Sequence, residues 1–394
     1  MPTMPSNKEI NVSDVQEVLS YIKGHWHDSV HDDSEEGGLL PHPYTVPCIT
    51  GKFNFFFYWD TFFTNVGLLG QNELELARNN IEDMMFLIRR WGFMPNHVGM
   101  ENRSQPPYFG LMVRDYYRAT GETGWLESAA ESVRDEYYFW RSARWTPTTL
   151  ARHGHNATTE YLEKFYNGFC TRRVGLPEDV PRENKLRVGA HYVAEAETGW
   201  DFNARFDGRC MDFCPVDLNA NLYAYEQFLV DCSLELGWDE KDLWQERAGH
   251  RAEHMRELLW SDERGMFMDY DFVNDCHSKV ASLASFQPLW VGMASREEAE
   301  RTAENLGIFE GEYGFAVTEN PDSSAHGSPS PGVSAPAEHS KAPKEPTHQW
   351  GWPNMWPPLA YTAACGLARY GLHDHARRVA RKYVQTCADL WKET

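Results

Sequence analysis

The sequence predicts an all-α protein built from stacked helical hairpins, and three observations predict it. Amphipathic segments of helical period follow one another along most of the chain, several joined by tight Gly-containing turns. Strand and helix patterns do not alternate, which argues against a parallel sheet. No strict repeat period supports a solenoid, although a closed α/α barrel and a solenoid both remain open on pattern alone.

The elements run as follows. Val12 to Asp28 carries Val15, Val18, Leu19 and Ile22 at helical spacing, and 37–50 is a loop rich in Gly and Pro. Trp59 to Leu69 is apolar on several sides and reads as a buried helix. Glu73 to Trp91 places Leu74, Ala77, Ile81, Met84, Met85 and Ile88 on one face. Gly92 to Pro107 is a loop. Tyr108 to Ala119 and Trp125 to Arg144 are helices across a Gly-Glu-Thr-Gly turn. Val216 to Leu236 and Lys241 to Trp260 repeat that hairpin rhythm, and Met266 to Phe272 alternates weakly as a short extended piece. Leu289 to Leu306, Leu359 to Tyr370 and His373 to Trp391 complete the set. The stretch 320–347 is dominated by Pro, Ser and Ala and buries too little apolar surface to offset its ordering entropy. It is expected to be a disordered insertion within a single domain spanning 1–394.

Composition narrows the function. The chain has 394 residues, is 42% hydrophobic and 24% charged, and so reads as globular. Its net charge of −21 repels nucleic acid and anionic membranes, and no basic run overrides it. Fifteen tryptophans exceed what a core needs and make stacking surfaces for flat ligands plausible. The eight cysteines are scattered without zinc-ligand spacing, so buried free thiols are expected and no metal. Met1 to Ile10 carries no apolar signal core, and no window is long enough for a membrane helix. The expected location is the cytosol.

Four stretches carry chemistry. Glu197-Thr198-Gly199-Trp200-Asp201 sets a carboxyl beside an indole; poor solvation there raises the pKa and keeps a proton donor loaded near neutral pH. The plainer alternative is a Gly turn with Asp201 as helix cap and Trp200 in the core. Gly51 to Asp60 ends an aromatic run in Trp59-Asp60, either a cap with core aromatics or a sugar site of indole and carboxylate. Asn96 and the loop through Arg103, Gln105 and Pro107 supply amide and guanidinium donors on a rigid scaffold. Gln349 to Pro358 holds Trp350, Trp352 and Trp356 among three prolines, a stiff aromatic ledge suited to carbohydrate.

In order and content these stretches resemble the trehalase family of glycoside hydrolases, from about Pro47 to the end. Gly-Lys-Phe-x5-Trp-Asp, beginning at Gly51, is similar to that family's first signature, with Lys52 where an Arg is usual and Phe55 where a Glu is usual. Gln-Trp-x2-Pro-x2-Trp-x-Pro, beginning at Gln349, is similar to its second, with Gly351 in place of an Asp. The resemblance implies a six-hairpin α/α toroid, inverting hydrolysis of an α-glycosidic bond, and a small carbohydrate as partner, with no cofactor. It implies Asp201 as general acid. It implies a sugar site of Lys52, Phe53, Trp59, Asp60, Asn96, Arg103, Gln105, Gly199, Trp200, Trp350, Trp352 and Trp356. An Arg and a Glu precede the family's acid, a match for which Arg182-Glu183 and Arg173 with Glu178 compete. The altered signature residues make trehalose one of several candidate α-glucosides, with related enzymes acting on glucosylglycerate or mannosylglycerate. The family's general base, a Glu, is expected about one helical turn beyond Thr394, with Glu393 falling short of it. The barrel is therefore expected to be incomplete at its C-terminus and hydrolysis impaired, which leaves a sugar-binding scaffold as the rival reading.

Overall fold

The computed structural model describes residues 11–32, 39–325 and 348–393. Of the expected insertion, 320–325 includes a short 3₁₀ turn at Pro321–Ala325, and 326–347 lies outside the described residues. Thirteen α-helices dominate what is described. They are α1 (Val12–His25), α2 (Tyr58–Gly70), α3 (Leu74–Trp91), α4 (Phe109–Thr120), α5 (Thr123–Ala143), α6 (Thr159–Phe165) and α7 (Arg182–Glu197), then α8 (Val216–Leu236), α9 (Lys241–Leu259), α10 (Gln287–Val291), α11 (Arg296–Glu304), α12 (Pro357–Arg369) and α13 (His373–Glu393). Two-residue strands pair in three small antiparallel sheets, among them Phe213–Cys214 with Tyr270–Asp271.

Burial separates the helices into inner and outer. α8 buries fifteen residues around its whole circumference, whereas α13, of equal length, buries only Ala376, Val379 and Ala388. A helix apolar all round must be enclosed, and one with a single apolar stripe lies outside. The inner helices pack in succession, α2 on α4, α4 on α8, α8 on α10 and α10 on α12. Phe63 of α2 meets Tyr361 of α12 edge-on with centroids 6.1 Å apart, which brings the series round toward its start. α3, α5, α9 and α13 back onto α2, α4, α8 and α12. This is the α/α-barrel arrangement, and one hydrophobic core runs through it.

A buried polar knot fixes the inner helices near the site. Tyr58 Oη accepts the N–H groups of Tyr108 and Phe109 at 3.0 and 2.9 Å and donates to Glu136 Oε1 at 2.6 Å. Tyr225 of α8 donates to the other oxygen of Glu136 at 2.7 Å. Burial pushes the Glu136 carboxyl up to about 7. α2, α5 and α8 thus meet on one carboxyl group, and α4 joins them through the Tyr58 hydroxyl.

Two expectations change. The helix read over Leu289 to Leu306 is two helices, because Gly292 takes φ +81° and ends α10, and Ser295 with Glu298 forms a capping box that starts α11. The thiols are not uniformly buried: Cys170, Cys210, Cys214 and Cys232 are, but Cys48 and Cys276 are exposed.

Candidate active site

The four sequence stretches converge on one cleft of about 680 Å³. Lys52, Phe53, Trp59, Asp60, Asn96, Arg103, Gln105, Gly199, Asp201, Trp350 and Trp356 all line it. Backbone bonds set the first wall. Asn96 O accepts the Tyr58 N–H at 3.1 Å, Asn96 N donates to Arg103 O at 3.0 Å, and Gln105 Oε1 accepts the Trp59 N–H at 3.1 Å. Gln105 therefore keeps its NH₂ donors and one lone pair of Oε1 for a ligand. Arg103 is nearly buried, and its Nε has no partner among the described residues.

Gly199 holds the second wall. Its φ is +74°, and a Cβ there would stand 2.6 Å from Trp59 Cε2, so the indole of α2 occupies the space any other residue would need. Asp201 follows. Burial raises its pKa, and the guanidinium groups of Arg103 and Arg173 partly oppose that rise. Burial also pushes Asp60 up to about 6, with the Asp201 charge adding to the effect. Two carboxyl groups on one cleft thus both favour the protonated form more than free aspartate does.

Trp200 lies elsewhere than expected. It is buried in the core, stacked on Trp350 (centroids 5.7 Å, 23°) with Arg205 on it, 4.2 Å from the ring centroid. Arg205 is itself gripped by Asp217 and Asp269, each through two bonds of 2.8–2.9 Å. The indole that faces the ligand space is Trp59, and Trp200 supports Trp350 from behind. Trp350 in turn stacks on Trp356 (4.1 Å, 9°), and its backbone N–H donates to Phe202 O at 3.2 Å, sewing the ledge to the Asp201 segment.

Three further expected residues do not reach the cleft. Trp352 turns away, its N–H bonded to Thr318 Oγ1 at 2.8 Å and its ring over Gly311. Arg182 and Glu183 sit exposed in the first turn of α7, with Arg182 paired to Glu163 at 2.7 Å. Fifteen residues of helix separate Arg182 from Glu197, about 22 Å. Of the competing arginines, Arg173 is the one near Asp201: its charge acts on that carboxyl, it donates to Gln349 Oε1 and it stands 5.8 Å from the Phe202 ring centroid. Its companion Glu178 lies outside the cleft, on the shallow neighbouring pocket lined by Glu160 and Glu163. Glu393 is exposed at the end of α13, beside the contacts of Trp391 with Tyr21 and Lys392 with Asp14 that join α13 to α1.

Sequence reasoning missed how the segment leading to Asp201 is held. Glu197 is fully buried. It takes Arg144 Nε and Nη2 at 2.9 and 2.7 Å, Ser104 N at 3.0 Å and Gly154 N at 2.7 Å. Burial alone would raise its pKa, but Arg144 and His153 overcome that and hold it well below the usual range. Glu195, two residues earlier, accepts the Asn203 N–H at 2.9 Å, and its Oε2 has no partner among the described residues. Burial pushes Glu195 up to about 8, the Asp201 charge contributing. Phe55, stacked on His97 (5.2 Å, 21°), also lines the cleft. No group of three residues suited to hold a metal is found among the described residues.

An α/α barrel with a cleft lined by two perturbed carboxyls, an arginine whose Nε is unpartnered among the described residues, and indoles defines the class of helical barrel to which the chain belongs. The chain belongs to the trehalase family, whose sequence model matches residues 10–394. It is 28% identical over 368 residues to a periplasmic trehalase of Xanthomonas campestris pv. campestris strain B100, a match covering 88% of this chain and 60% of that protein. The chain thus spans about three-fifths of the length of the curated relatives it matches. In fold it is similar to a neutral trehalase of Saccharomyces cerevisiae (TM-score 0.71, 24% identity, covering 93% of this chain and 72% of that one). It also resembles a GH63 mannosylglycerate hydrolase of Thermus thermophilus (TM-score 0.56, 14% identity, covering 96% of this chain and 99% of that one). The cytosolic expectation is corrected: the curated relatives are named periplasmic, which points to the periplasm. No helix among the described residues is long and apolar enough to cross a membrane.

Proposed function

We propose that the cleft binds an α-glucoside, trehalose or a close relative, and that Asp201 donates the proton to the leaving oxygen. The observation that carries this is Asp201 itself, a carboxyl whose burial favours its protonated form, lining the same cleft as Asp60, Arg103 and stacked indoles. A raised pKa keeps the donor loaded near neutral pH. Trp59 and Trp356 offer indole surface to the apolar side of a pyranose, with Trp350 stacked behind Trp356. Asp60, Asn96, Arg103, Gln105 and Lys52 offer acceptors and donors to its hydroxyls. An inverting reaction also needs a second carboxyl about 6.5–9.5 Å away to activate water. Among the described residues Asp60 is the other carboxyl on the cleft.

With Asp60 assigned to sugar hydroxyls, no second carboxyl on the cleft among the described residues is left to activate water, which favours a second reading, a sugar-binding scaffold in which hydrolysis is slow. A panel of trehalose, glucosylglycerate, mannosylglycerate and kojibiose separates the two. Turnover of one member that disappears in Asp201→Asn supports hydrolysis, binding without turnover supports the scaffold, and neither binding nor turnover overturns both. The substituted signature positions bear on which member is accepted. Phe55 presents an exposed ring where a Glu is usual, and Lys52 lacks the planar fork of an Arg.

A further inference from the structure

Next to the cleft lies a second, larger trough of about 850 Å³ that the proposed hydrolysis leaves unused. Its floor is the turn from α6 into a π-helical stretch, Tyr166–Val174, a rare geometry that recurs at functional sites. On the buried face of this segment, Leu162, Tyr166 and Cys170 turn inward. One residue back at each step, Tyr161, Phe165 and Phe169 stand part-exposed and line the trough. Their rings stack in series, Tyr161 on Phe165 (6.0 Å, 26°) and Phe165 on Phe169 (5.0 Å, 24°), and Phe202 meets Phe169 edge-on. An aromatic stripe at this spacing ordinarily packs in a core; here it borders open space.

Two features tie the trough to the cleft. Phe202 is the residue after Asp201, and Arg173 lines the trough while bonding Gln349 of the cleft. The charge is also unlike the rest of the chain. Lys164, Arg172 and Arg173 line the trough and, among the described residues, no carboxylate does, in a protein of net charge −21.

We propose that the trough is a distal subsite for the leaving-group side of the substrate, taking a further ring that carries an anionic group such as a uronate carboxylate. This rests on the cleft being the sugar site. The aromatic row stacks the ring, Lys164 and Arg172 meet the anion, and the Arg173–Gln349 bond marks the passage between the two spaces.

The test compares binding of three ligands to the Asp201→Asn chain, which cannot consume them: an α-glucosidic disaccharide, a neutral trisaccharide extended from it, and one ending in a uronic acid. The acidic trisaccharide is expected to bind at least about tenfold tighter than the disaccharide, the scale of one good stacking or charge contact. A Phe165→Ala/Phe169→Ala chain should lose the gain of both trisaccharides and keep the disaccharide affinity. Lys164→Ala/Arg172→Ala should lose only the acidic ligand's excess. Equal affinity for all three ligands, or an aromatic variant that weakens the disaccharide equally, overturns the distal subsite. Absence of any disaccharide binding overturns the reading of the cleft instead.

Discussion

Glu195 and Glu197 are both buried on the last turn of α7, two residues apart, and their surroundings drive them in opposite directions. Glu197 faces Arg144, His153 and two backbone N–H groups, and stays charged. Glu195 faces the Asp201 side, keeps one oxygen without a partner among the described residues, and is pushed to about 8. The helix end thus divides into an anchoring side, where the charge is neutralised by partners, and a side toward Asp201, where burial raises the carboxyl pKa values and which the proposed function makes the reacting side. Both carboxyls are desolvated; Arg144 and His153 overcome that cost at Glu197, whereas at Glu195 burial prevails and the Asp201 charge adds to it.

Substitutions should separate the two sides. The largest effect is expected on activity: Asp201→Asn should lower the hydrolysis rate by about 10²–10⁴ while leaving the melting temperature near that of the parent, as measured by steady-state assay and thermal unfolding. Glu197→Ala should do the reverse in emphasis. It strands Arg144 in the core and should cost about 3–5 kcal/mol of stability in denaturant titration. If Glu197→Ala unfolds no more easily than Asp201→Asn, the division into anchor and reacting side is wrong.

The pH dependence sharpens the contrast. Glu195 binds its proton more tightly in the folded chain than at its ordinary 4.5, so its contribution is full below pH 4.5 and is lost as pH rises toward about 8. Glu197 has the opposite sign: its contribution is present above pH 4.5 and is lost as pH falls below it. Glu195→Gln should therefore gain stability relative to the parent as pH climbs from about 5 to about 8, with no such gain near pH 4. Smaller again is Gly199→Ala, where the left-handed backbone alone costs about 1–2 kcal/mol and the displaced Trp59 should weaken sugar binding in fluorescence titration. Smallest is Arg182→Ala: an exposed ion pair contributes about 0–1 kcal/mol, and activity should not change.

How much of this was legible in the sequence follows from the range of each interaction. The hairpins from α2 to α5 and α8 to α9 could be read from apolar spacing, because their burial is periodic along one segment. α6, the π-helical stretch and α7 were not read. α7 buries Gly189 and then only 193–197, with no stripe along its length. The cleft residues in the signature stretches were legible because each stretch is continuous in sequence. Trp200 and Trp59 could not be told apart there, since both are indoles beside an Asp, and only packing shows which faces the cleft. Arg144 lies 53 residues from Glu197 and gives no local signal. Arg182 and Arg173 could not be separated in the sequence, since each has a Glu within a few residues, and it is a helix length that removes Arg182 from Asp201.

The Glu197 carboxylate serves both walls of the cleft at once. The Ser104 N–H and the Arg144 guanidinium share it, so the loop carrying Arg103 and Gln105 and the segment carrying Asp201 are registered by a single group beneath both. Side chains at the mouth, Lys52, Phe53 and Phe55 among them, take no part in that registration. On the proposed function, sugar preference can therefore drift by exchange at the opening while Asp201 keeps its station.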